Sequence, residues 1–436
     1  MITNDFLVRY NIIFDSQFGF RKGHSTCHAI LDFVKTIEDA IENGEFAVGV
    51  FCDLSKAFDT INHDILLEKL CHYGIRGPMY DWLKSYLSGR EQYVEMNGST
   101  SGRLPISTGV PQGSILGPLL FIIYINDLPA ASKLKTVMFA DDSNLIIKGK
   151  DLSILKNNLN TELEGINDFF KANKLKLNAS KTKLVCFRKK SQLINYEDIQ
   201  IYLDGTLLTF EEDATFLGVK IDSHLSWDKQ CNHVANTISR NNGAINRVKK
   251  LLPPPSLKIL YCSLILPHLQ YGLAAWGGCL GQSKKRIINI QKRAIRTVSK
   301  SYFTSHTEPR MKELGLMKFE DLYKQQCTTL IHNISIRQAP AQMSSLINFD
   351  KDLPRQGLRS HDSNPHHVRL PIGKSRVFLN GFRCKGPLTW NELPRELQNV
   401  QEKIGFKFRL KRFLLASYSN EIVCNNPRCT DRAHHH

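Results

Sequence analysis

The sequence lacks the features of a membrane-spanning or secreted protein. No stretch reaches the roughly 18 uninterrupted apolar residues that a transmembrane helix needs, and the longest apolar run covers residues 119–125. The first thirty residues have no basic start followed by an apolar core, so no signal peptide is predicted. The 11 cysteines are odd in number and show no small-domain disulfide spacing. We therefore expect a protein of a reducing compartment, the cytoplasm or the nucleus.

Acidic residues are also scarce relative to basic ones, with 41 Asp and Glu against 58 Lys and Arg and a net charge of +17. A pI near 9.3 predicts an anionic partner, and nucleic acid and a membrane surface both fit. Residues 351–436 hold 16 Lys and Arg against 7 Asp and Glu, which is more than half of the surplus. An apolar content of 42% over 436 residues favours a globular protein.

Two clusters of carboxylates each stand beside a strand-like segment. Asp141 and Asp142 lie between the apolar residues 137–139 and 145–147, a pattern typical of a hairpin whose turn carries two acids. Asp53 follows the strand-like residues 46–50 and lies 88 residues upstream of Asp141. Acids at two strand ends can meet at one site.

Such a pair suits magnesium, which prefers hard oxygen ligands and is usually held by one or two carboxylates together with substrate phosphates. Two ions about 3.5–4 Å apart would activate an attacking hydroxyl and stabilise the leaving oxygen of a phosphoryl group. The alternative is that Asp141 and Asp142 are solvated turn acids, since Asp is common in turns.

A loop rich in glycine and proline separates the two acidic clusters. Residues 108–118 read Thr-Gly-Val-Pro-Gln-Gly-Ser-Ile-Leu-Gly-Pro and precede the apolar run 119–125, which predicts an irregular loop entering a helix. Together with residues 51–59 and 139–142, in this order and spacing, the loop resembles motifs A, B and C of a reverse transcriptase. Residues 17–26, Gln-Phe-Gly-Phe-Arg-Lys-Gly-His-Ser-Thr, resemble the block before motif A in non-long-terminal-repeat, LINE-like retrotransposons.

The resemblance extends beyond the catalytic blocks. Residues 175–182 resemble motif D and residues 216–219 resemble motif E, the primer-grip region. Three later segments are similar to the thumb and tail of Jockey-like elements: residues 260–276, 290–296 and 385–394.

The resemblance implies an α+β fold, a right-hand polymerase with an antiparallel-sheet palm, partial fingers and an α-helical thumb. It assigns four regions: partial fingers at 1–45, a palm with motifs A to E at 46–225, a helical thumb at 226–345 and a basic C-terminal tail region at 346–436. The implied partners are an RNA template, a DNA primer and deoxynucleotide triphosphates. Neither a membrane nor an obligate protein partner is expected.

The resemblance also assigns the metal site and its catalytic groups. Asp53 and Asp141 match the family's two invariant metal ligands, with the Leu54 carbonyl as a further ligand, and imply two Mg²⁺ ions, which Mn²⁺ could replace. Asp142 is the peripheral catalytic acid, since neighbouring residues of a strand point to opposite faces. Lys181 resembles the motif D lysine that would protonate the departing pyrophosphate. A solvated lysine in a polar turn is the alternative.

Three further residues match the nucleotide pocket. Phe58 lies five residues after Asp53, where the family places an aromatic ring beneath the incoming sugar. Such a ring clashes with a 2′-hydroxyl and so selects deoxynucleotides; the alternative is a core aromatic. Gln112 and Gly113 resemble residues that line the pocket and let the template pass closely. Asp59 is interpreted as structural.

Basic residues supply the candidate nucleic-acid contacts. Arg21 and Lys22 would contact template phosphate, or simply form an exposed basic turn. A basic helix face would track a duplex, and a solvated face or a nuclear-import patch are its alternatives. The residues of that face are Lys284, Lys285, Arg286, Lys292, Arg293 and Arg296.

Apolar periodicity and turn residues predict the remaining elements. An amphipathic helix is expected over residues 152–170, a strand over 183–187, and a hairpin of 94–97 and 103–106 around a turn at 98–102. Helices are expected over 233–252, 256–273, 284–299 and 406–415, with a break at the three prolines 253–255 and a kink at Pro267. No regular structure is predicted for residues 354–394.

Cys424, Cys429 and His434 form a possible terminal zinc knuckle, although their spacing is wider than the usual C-x₂-C start.

The sequence also departs from the pattern of intact elements. Residue 17 follows the start of the sequence almost at once, so we expect this chain to lack the endonuclease domain and the complete fingers segment that precede motif A in intact elements. We therefore expect an RNA-directed DNA polymerase whose activity is impaired by truncation. Two other functions stay open: a catalytically inactive nucleic-acid-binding remnant, and an RNA-copying RNA polymerase, which Phe58 and the loop at 108–118 disfavour.

Overall fold

The computed structural model describes residues 2–350 and 364–419. The chain divides into two compact units, Met1–Leu217 and Gly218–His436. Among the described residues, no helix is long and apolar enough to cross a membrane. The cysteines in this part of the chain are all free thiols.

The first unit mixes helices with strands. Its helices are α1 (Ile2–Arg9), α2 (Thr26–Glu42), α3 (His63–His72), α4 (Pro78–Leu87), α5 (Leu116–Tyr124) and α6 (Leu152–Ala172), with short 3-10 helices at Leu128–Ala131 and Tyr196–Asp198. Its strands are β1 (Phe46–Cys52), β2 (Glu91–Gln92), β3 (Glu95–Met96), β4 (Ser99–Thr100), β5 (Leu104–Pro105), β6 (Lys135–Phe139), β7 (Asp142–Gly149), β8 (Lys183–Phe187), β9 (Ile201–Leu203), β10 (Thr206–Leu208) and β11 (Asp213–Phe216).

The described part of the second unit is mostly helical. Its helices are α7 (Asp228–Val248), α8 (Pro254–Leu264), α9 (Leu266–Gln270), α10 (Leu273–Trp276), α11 (Gly281–Val298), α12 (Glu308–Leu314), α13 (Phe319–Ser335), α14 (Ala341–Ser344), α15 (Arg376–Asn380), α16 (Phe382–Asn391), α17 (Arg395–Gln398) and α18 (Lys403–Ala416). Its strands are β12 (Val219–Asp222), β13 (Asn348–Phe349) and β14 (Val368–Arg369).

A four-stranded sheet in the order β6-β7-β1-β8 forms the centre of the first unit, and each of its strand pairs is antiparallel. The predicted antiparallel sheet is thus confirmed. Both faces of β1 are buried, which explains why the strand is almost continuously apolar. Val48, Val50 and Cys52 join a core cluster that also contains residues of α5 and α6.

The other face of the sheet is covered by α2. Ser25 caps this helix by accepting the backbone N–H of His28. The ring of Phe33 on α2 packs against Phe51 of β1 and Phe216 of β11, with ring centroids 5.4 and 5.0 Å apart. Aromatic packing of this kind fixes α2 against the strand that leads to Asp53.

Several predicted elements are confirmed, with α6 and β8 as the clearest cases. The Asp151 side chain accepts the N–H groups of Ser153 and Ile154 at the start of α6. The helix buries Leu155, Leu159, Leu163, Ile166 and Phe170, the spacing of one helical face.

The predicted hairpin of residues 94–97 and 103–106 is wrong in its pairing. β3 pairs with β4 around a two-residue turn at Asn97 and Gly98, whose φ angles are both positive. The Asn-Gly dipeptide favours this tight turn over the wider one that we expected. Residues 104–105 pair instead with β2.

In the second unit, the predicted break at residues 253–255 is confirmed, since α7 ends before it and α8 starts at Pro254. The helix expected over 256–273 is interrupted at Ile265, because Pro267 can start α9 but cannot continue α8. The prediction of no regular structure over 354–394 is wrong for α15 and α16. α16 tolerates Pro387 and buries Phe382 and Trp390.

Candidate active site

The three candidate carboxylates lie at the same end of the central sheet. Asp53 directly follows β1. Asp141 lies in the turn between β6 and β7, and Asp142 is the first residue of β7. In the sheet register, Cys52 lies opposite Ser143, so the end of β1 meets the start of β7. The prediction that the two acidic strand ends meet is confirmed.

The turn between β6 and β7 is tight. Phe139 pairs with Asp142, which leaves only Ala140 and Asp141 as the loop. Ala140 has a φ of +57°, a left-handed conformation that glycine usually occupies at the first central position of such a hairpin. Its strain must therefore be offset by neighbouring contacts, which hold the main chain beside Asp141.

Negative charge is concentrated at this end of the sheet. The pKa of Asp142 is raised above its usual value by partial desolvation, and further by the charges of Asp141 and Asp53. Lys181 faces the cluster, since its Nζ lies 3.7 Å from Oδ2 of Asp53. Both side chains are exposed, so this ion pair adds little stability.

The segment that carries Lys181 runs beside Asp53. The N–H of Asn178 donates to the Asp53 carbonyl at 2.9 Å, and the N–H of Ser55 donates to the Lys176 carbonyl at 3.0 Å. These bonds form a bridge between Leu54 and Leu177. Leu54 is buried, and its carbonyl takes no part in these two bonds.

The loop at 108–118 is attached to the turn that follows Asp53. The N–H of Val110 donates to the Phe58 carbonyl at 2.9 Å. A Cβ on Gly109, whose φ is +84°, would lie 2.8 Å from the Asp59 carbonyl oxygen, so only glycine fits this approach. The exposed Gln112 donates from Nε2 to Oδ1 of Asp59 at 2.8 Å. Asp59 thus holds Gln112 in place.

Phe58 and Gly113 are the remaining residues of the predicted nucleotide pocket. The ring of Phe58 is half-buried and stacks on Phe121 of α5, with centroids 4.5 Å apart. This contact rigidifies the ring while part of its surface stays accessible. Gly113 has a φ of +80°, is exposed and has open space around its Cα.

The profile of the family described as reverse transcriptase (RNA-dependent DNA polymerase) matches residues 1–221. This chain belongs to the reverse transcriptase family.

The curated relatives that the chain matches come from mobile elements. The chain is 31% identical over 68% of its length to the probable RNA-directed DNA polymerase from transposon BS of Drosophila melanogaster. It is 28% identical over 70% of its length to the RNA-directed DNA polymerase from mobile element jockey of the same organism. The matched region covers 34% of each relative, so the chain spans about a third of the length of these proteins.

Solved structures of telomerase also align with this chain. The telomerase from Candida albicans in complex with a fragment of telomeric RNA aligns over 69% of this chain and 56% of that chain, with 12% identity and a TM-score of 0.39. The apo telomerase from Candida tropicalis aligns over 72% and 52%, with 13% identity and a TM-score of 0.39.

Reverse transcriptases use divalent metal ions, and the donor set of this one suits a hard cation. Desolvation raises the pKa of Asp142, and the charges of Asp141 and Asp53 raise it further; a cation would relieve the repulsion among these carboxylates. Within the described residues, no group of three or more His, Cys, Asp or Glu side chains is arranged to hold a metal ion. Cys424, Cys429 and His434 lie outside the described residues.

The candidate nucleic-acid contacts in this chain differ in how far their side chains are exposed and already hydrogen-bonded. Lys22 is exposed, whereas Arg21 donates to the carbonyls of Phe14 and Gln17 at 2.9 and 3.1 Å, and burial lowers its pKa. Arg21 therefore orders its own loop, and a template contact stays a prediction.

The basic residues of α11 also include exposed side chains and side chains that already have partners. Lys285, Lys292 and Arg293 are exposed. Lys284 pairs with Glu320 at 3.9 Å, and Arg296 donates to the Ser305 carbonyl at 2.9 Å. Arg286 is exposed but donates to Asn232 and Asn236 of α7. The surface that α11 offers to nucleic acid is thus smaller than the one predicted from all six residues.

The contact that Gln17 makes was not predicted from the sequence. Gln17 is fully buried, and its side-chain oxygen accepts the backbone N–H of Ala140 in the turn that holds Asp141. Its signal in the sequence is its place in the block before motif A, in which the basic residues Arg21 and Lys22 are the more obvious candidates for a functional contact.

Proposed function

We propose that this chain carries the RNA-directed DNA polymerase activity of a non-LTR retrotransposon. The observation that carries the proposal is the meeting of Asp53, Asp141 and Asp142 at one end of the sheet, beside the loop that holds Gln112. The match to the reverse transcriptase family and the similarity to jockey support it. The reaction is transfer of a deoxynucleotide onto a primer 3′-hydroxyl opposite an RNA template.

We assign the sheet and the helices on it to a polymerase palm, within residues 46–225, with partial fingers at 1–45. Residues 226–345 would be the helical thumb and residues 346–436 a basic tail region. The antiparallel sheet order and the run of helices from α7 to α14 support this division.

Asp53 and Asp141 would hold two Mg²⁺ ions, for which Mn²⁺ could substitute, and the Leu54 carbonyl would be a further ligand. When bound, the two ions lower the barrier to attack by the primer hydroxyl and stabilise the pyrophosphate oxygen. Asp142 stays at the periphery and adds negative charge that strengthens cation binding. The neighbouring turn and strand hold all three carboxylates in place before substrate arrives.

Lys181 would act as a general acid. Its Nζ already lies 3.7 Å from Asp53, so an ammonium proton can reach the pyrophosphate that departs from this site.

Phe58, Gln112 and Gly113 would form the nucleotide pocket. The stack on Phe121 holds the Phe58 ring rigid, so that a 2′-hydroxyl would meet it as a fixed obstacle. Asp59 orients Gln112, and the open space at Gly113 lets nucleic acid approach the backbone. Rigid positioning of this kind can contribute several kcal/mol to the reaction.

RNA template and DNA primer are the proposed macromolecular partners. Lys22 and Arg21 in the first unit would contact template phosphate. In the second unit, the face of α11 would contact the duplex backbone, with Lys285, Lys292 and Arg293 as its exposed charges and Lys284, Arg286 and Arg296 as supporting ones.

The proposal is tested by primer extension on an RNA template with deoxynucleotides. We expect extension in Mg²⁺ or Mn²⁺ and none after a chelator removes the metal. Duplex binding without extension under any metal would indicate an inactive nucleic-acid-binding protein. Extension with ribonucleotides alone would indicate an RNA-copying RNA polymerase.

A further inference from the structure

The segment before α2 is attached to the strand that leads into the acidic turn. Gln17 forms a parallel bridge with Met138 of β6. The N–H of Phe18 donates to the Met138 carbonyl at 2.8 Å, and the N–H of Met138 donates to the Ser16 carbonyl at 2.8 Å. Residues 16–18 therefore act as a short extra strand at the outer edge of β6.

The side chain of Gln17 extends this attachment to the turn itself. Its Oε1 accepts the N–H of Gly19 at 2.7 Å and the N–H of Ala140 at 3.1 Å. A Cβ on Gly19 would lie only 2.3 Å from the Ala140 nitrogen, so the two main chains touch at this point. One buried oxygen thus joins the N-terminal segment to the residue beside Asp141.

Ala140 is the residue of the turn that most needs such a contact. Its backbone is buried and has a positive φ, which is unfavourable for alanine. Without Gln17, the Ala140 N–H would be left without an acceptor in a buried position. The turn would then relax to another conformation and move Asp141, since the two residues share a peptide unit.

We propose that Gln17 is a positioning residue of the metal site: its side-chain oxygen fixes the main chain at Ala140 and thereby sets where Asp141 stands relative to Asp53. Gln17 would not touch metal or nucleotide. The inference rests on the proposed function, because it assumes that Asp141 binds the metal. It gives the block at 17–26 a structural task in catalysis that is separate from the basic residues Arg21 and Lys22.

The chain offers a matched control in Asn126. This amide is also fully buried and also holds the N-terminal region: Oδ1 accepts the N–H of Phe14, and Nδ2 donates to the Ile12 carbonyl, both at 2.9 Å. It has no bond to the turn among the described residues. Loss of Asn126 therefore loosens the N-terminal region without removing the acceptor of Ala140.

The experiment measures Mn²⁺ binding by the free protein, from the loss of the electron paramagnetic resonance signal of free Mn²⁺. Partners that orient a metal ligand typically change affinity by about 10–100-fold. We expect Gln17→Met to raise the Mn²⁺ dissociation constant about tenfold or more. Asn126→Leu should lower the thermal stability by a similar amount but leave the Mn²⁺ dissociation constant near that of the parent. In the Gln17→Met background, Ala140→Gly should recover part of the affinity, because glycine adopts the positive φ without support.

The outcomes are distinguishable. If Gln17→Met binds Mn²⁺ as the parent does, or if Asn126→Leu weakens binding equally, Gln17 has no specific positioning role while the proposed function stands. If the parent itself binds no Mn²⁺, or if Asp141→Asn binds as tightly as the parent, the metal site fails and the inference fails with it.

Discussion

At the scale of single residues, Phe58 offers the clearest test of nucleotide selection. Its ring is held by Phe121 and keeps an accessible surface. If it excludes a 2′-hydroxyl, Phe58→Val should narrow the ratio of kcat/KM for deoxynucleotides over ribonucleotides by at least about tenfold, since discrimination is a difference in transition-state binding. Steady-state incorporation of one matched nucleotide of each sugar type measures the ratio. An active variant with an unchanged ratio would place Phe58 in the core instead.

Asp142 gives a prediction on pH and stability. Its pKa is raised by desolvation and by Asp141 and Asp53, so the folded chain binds this proton more tightly than the unfolded chain does. Stability therefore falls as pH rises from the ordinary Asp pKa through the raised one. At neutral pH without divalent metal, Asp142→Asn should unfold at a higher denaturant concentration than the parent. At acidic pH the two proteins should unfold at the same denaturant concentration.

The control for Asp142 is Asp168→Asn, an exposed carboxylate on α6. It should show no such dependence on pH. Added Mg²⁺ should stabilise the parent more than Asp142→Asn, because only the parent has the full charge cluster. Equal stability of parent and Asp142→Asn across the whole pH range contradicts the charge repulsion described here.

At the scale of structural elements, the contact between the N-terminal segment and the acidic turn leaves no space for a side chain at residue 19. A Cβ there would lie 2.3 Å from the Ala140 nitrogen. Gly19→Ala should therefore lower the free energy of unfolding by about 1–3 kcal/mol, the usual cost of forcing extra volume into a packed site. Gly102→Ala, where nothing lies within 4 Å, is the control in a denaturant titration. Equal stability of the two variants would show that the segments do not touch.

The exposed face of α11 is tested by the salt dependence of binding. Replacement of Lys285, Lys292 and Arg293 by Gln should reduce the slope of log K against log salt by about 2 to 3 for a primer–template duplex, since each phosphate contact contributes about 0.7–0.9. Three exposed lysines of the first unit, Lys150, Lys174 and Lys190, provide a control with the same change of charge. If both triple variants lower the slope equally, α11 acts only through net charge.

Elements with regular apolar spacing could be predicted from the sequence, and elements held by distant contacts could not. α6 repeats its buried residues at three- and four-residue steps, and β1 is bounded by polar residues, so both were found. α16 was missed because Gly386 and Pro387 interrupt the pattern that its buried Phe382 and Trp390 would otherwise show.

The residues of the candidate site likewise divide into those with a local signal in the sequence and those held by distant contacts. Asp53 and Asp141 could be placed together because both terminate strand-like segments. The Ala140 N–H donates to Gln17, which lies 123 positions earlier in the chain and forms a parallel bridge with Met138. No local sequence pattern encodes such a distant partner. The bond between Gln112 and Asp59 was missed for a similar reason, since an acid in a turn gives no signal of its partner.

At the scale of the whole molecule, the net charge of the chain is positive, whereas the candidate active site is rich in carboxylates. The chain has a net charge of +17, yet Asp53, Asp141 and Asp142 lie together at one end of the central sheet. Basic surface attracts nucleic acid over long range, whereas the carboxylates need divalent cations before a polyanion can approach them. Binding of the duplex should therefore tolerate loss of the acids, while the reaction should not.

The most direct measurement of the central claim is single-nucleotide incorporation on a primed RNA template by Asp53→Asn, Asp141→Asn and the control Asp168→Asn. Each of the first two removes a charged metal ligand, so the account predicts a fall in rate of at least about a thousandfold, with duplex affinity near that of the parent. Asp168→Asn should keep the parent's rate. Rates for Asp53→Asn and Asp141→Asn within about tenfold of the parent would contradict a metal-dependent polymerase site at this end of the sheet.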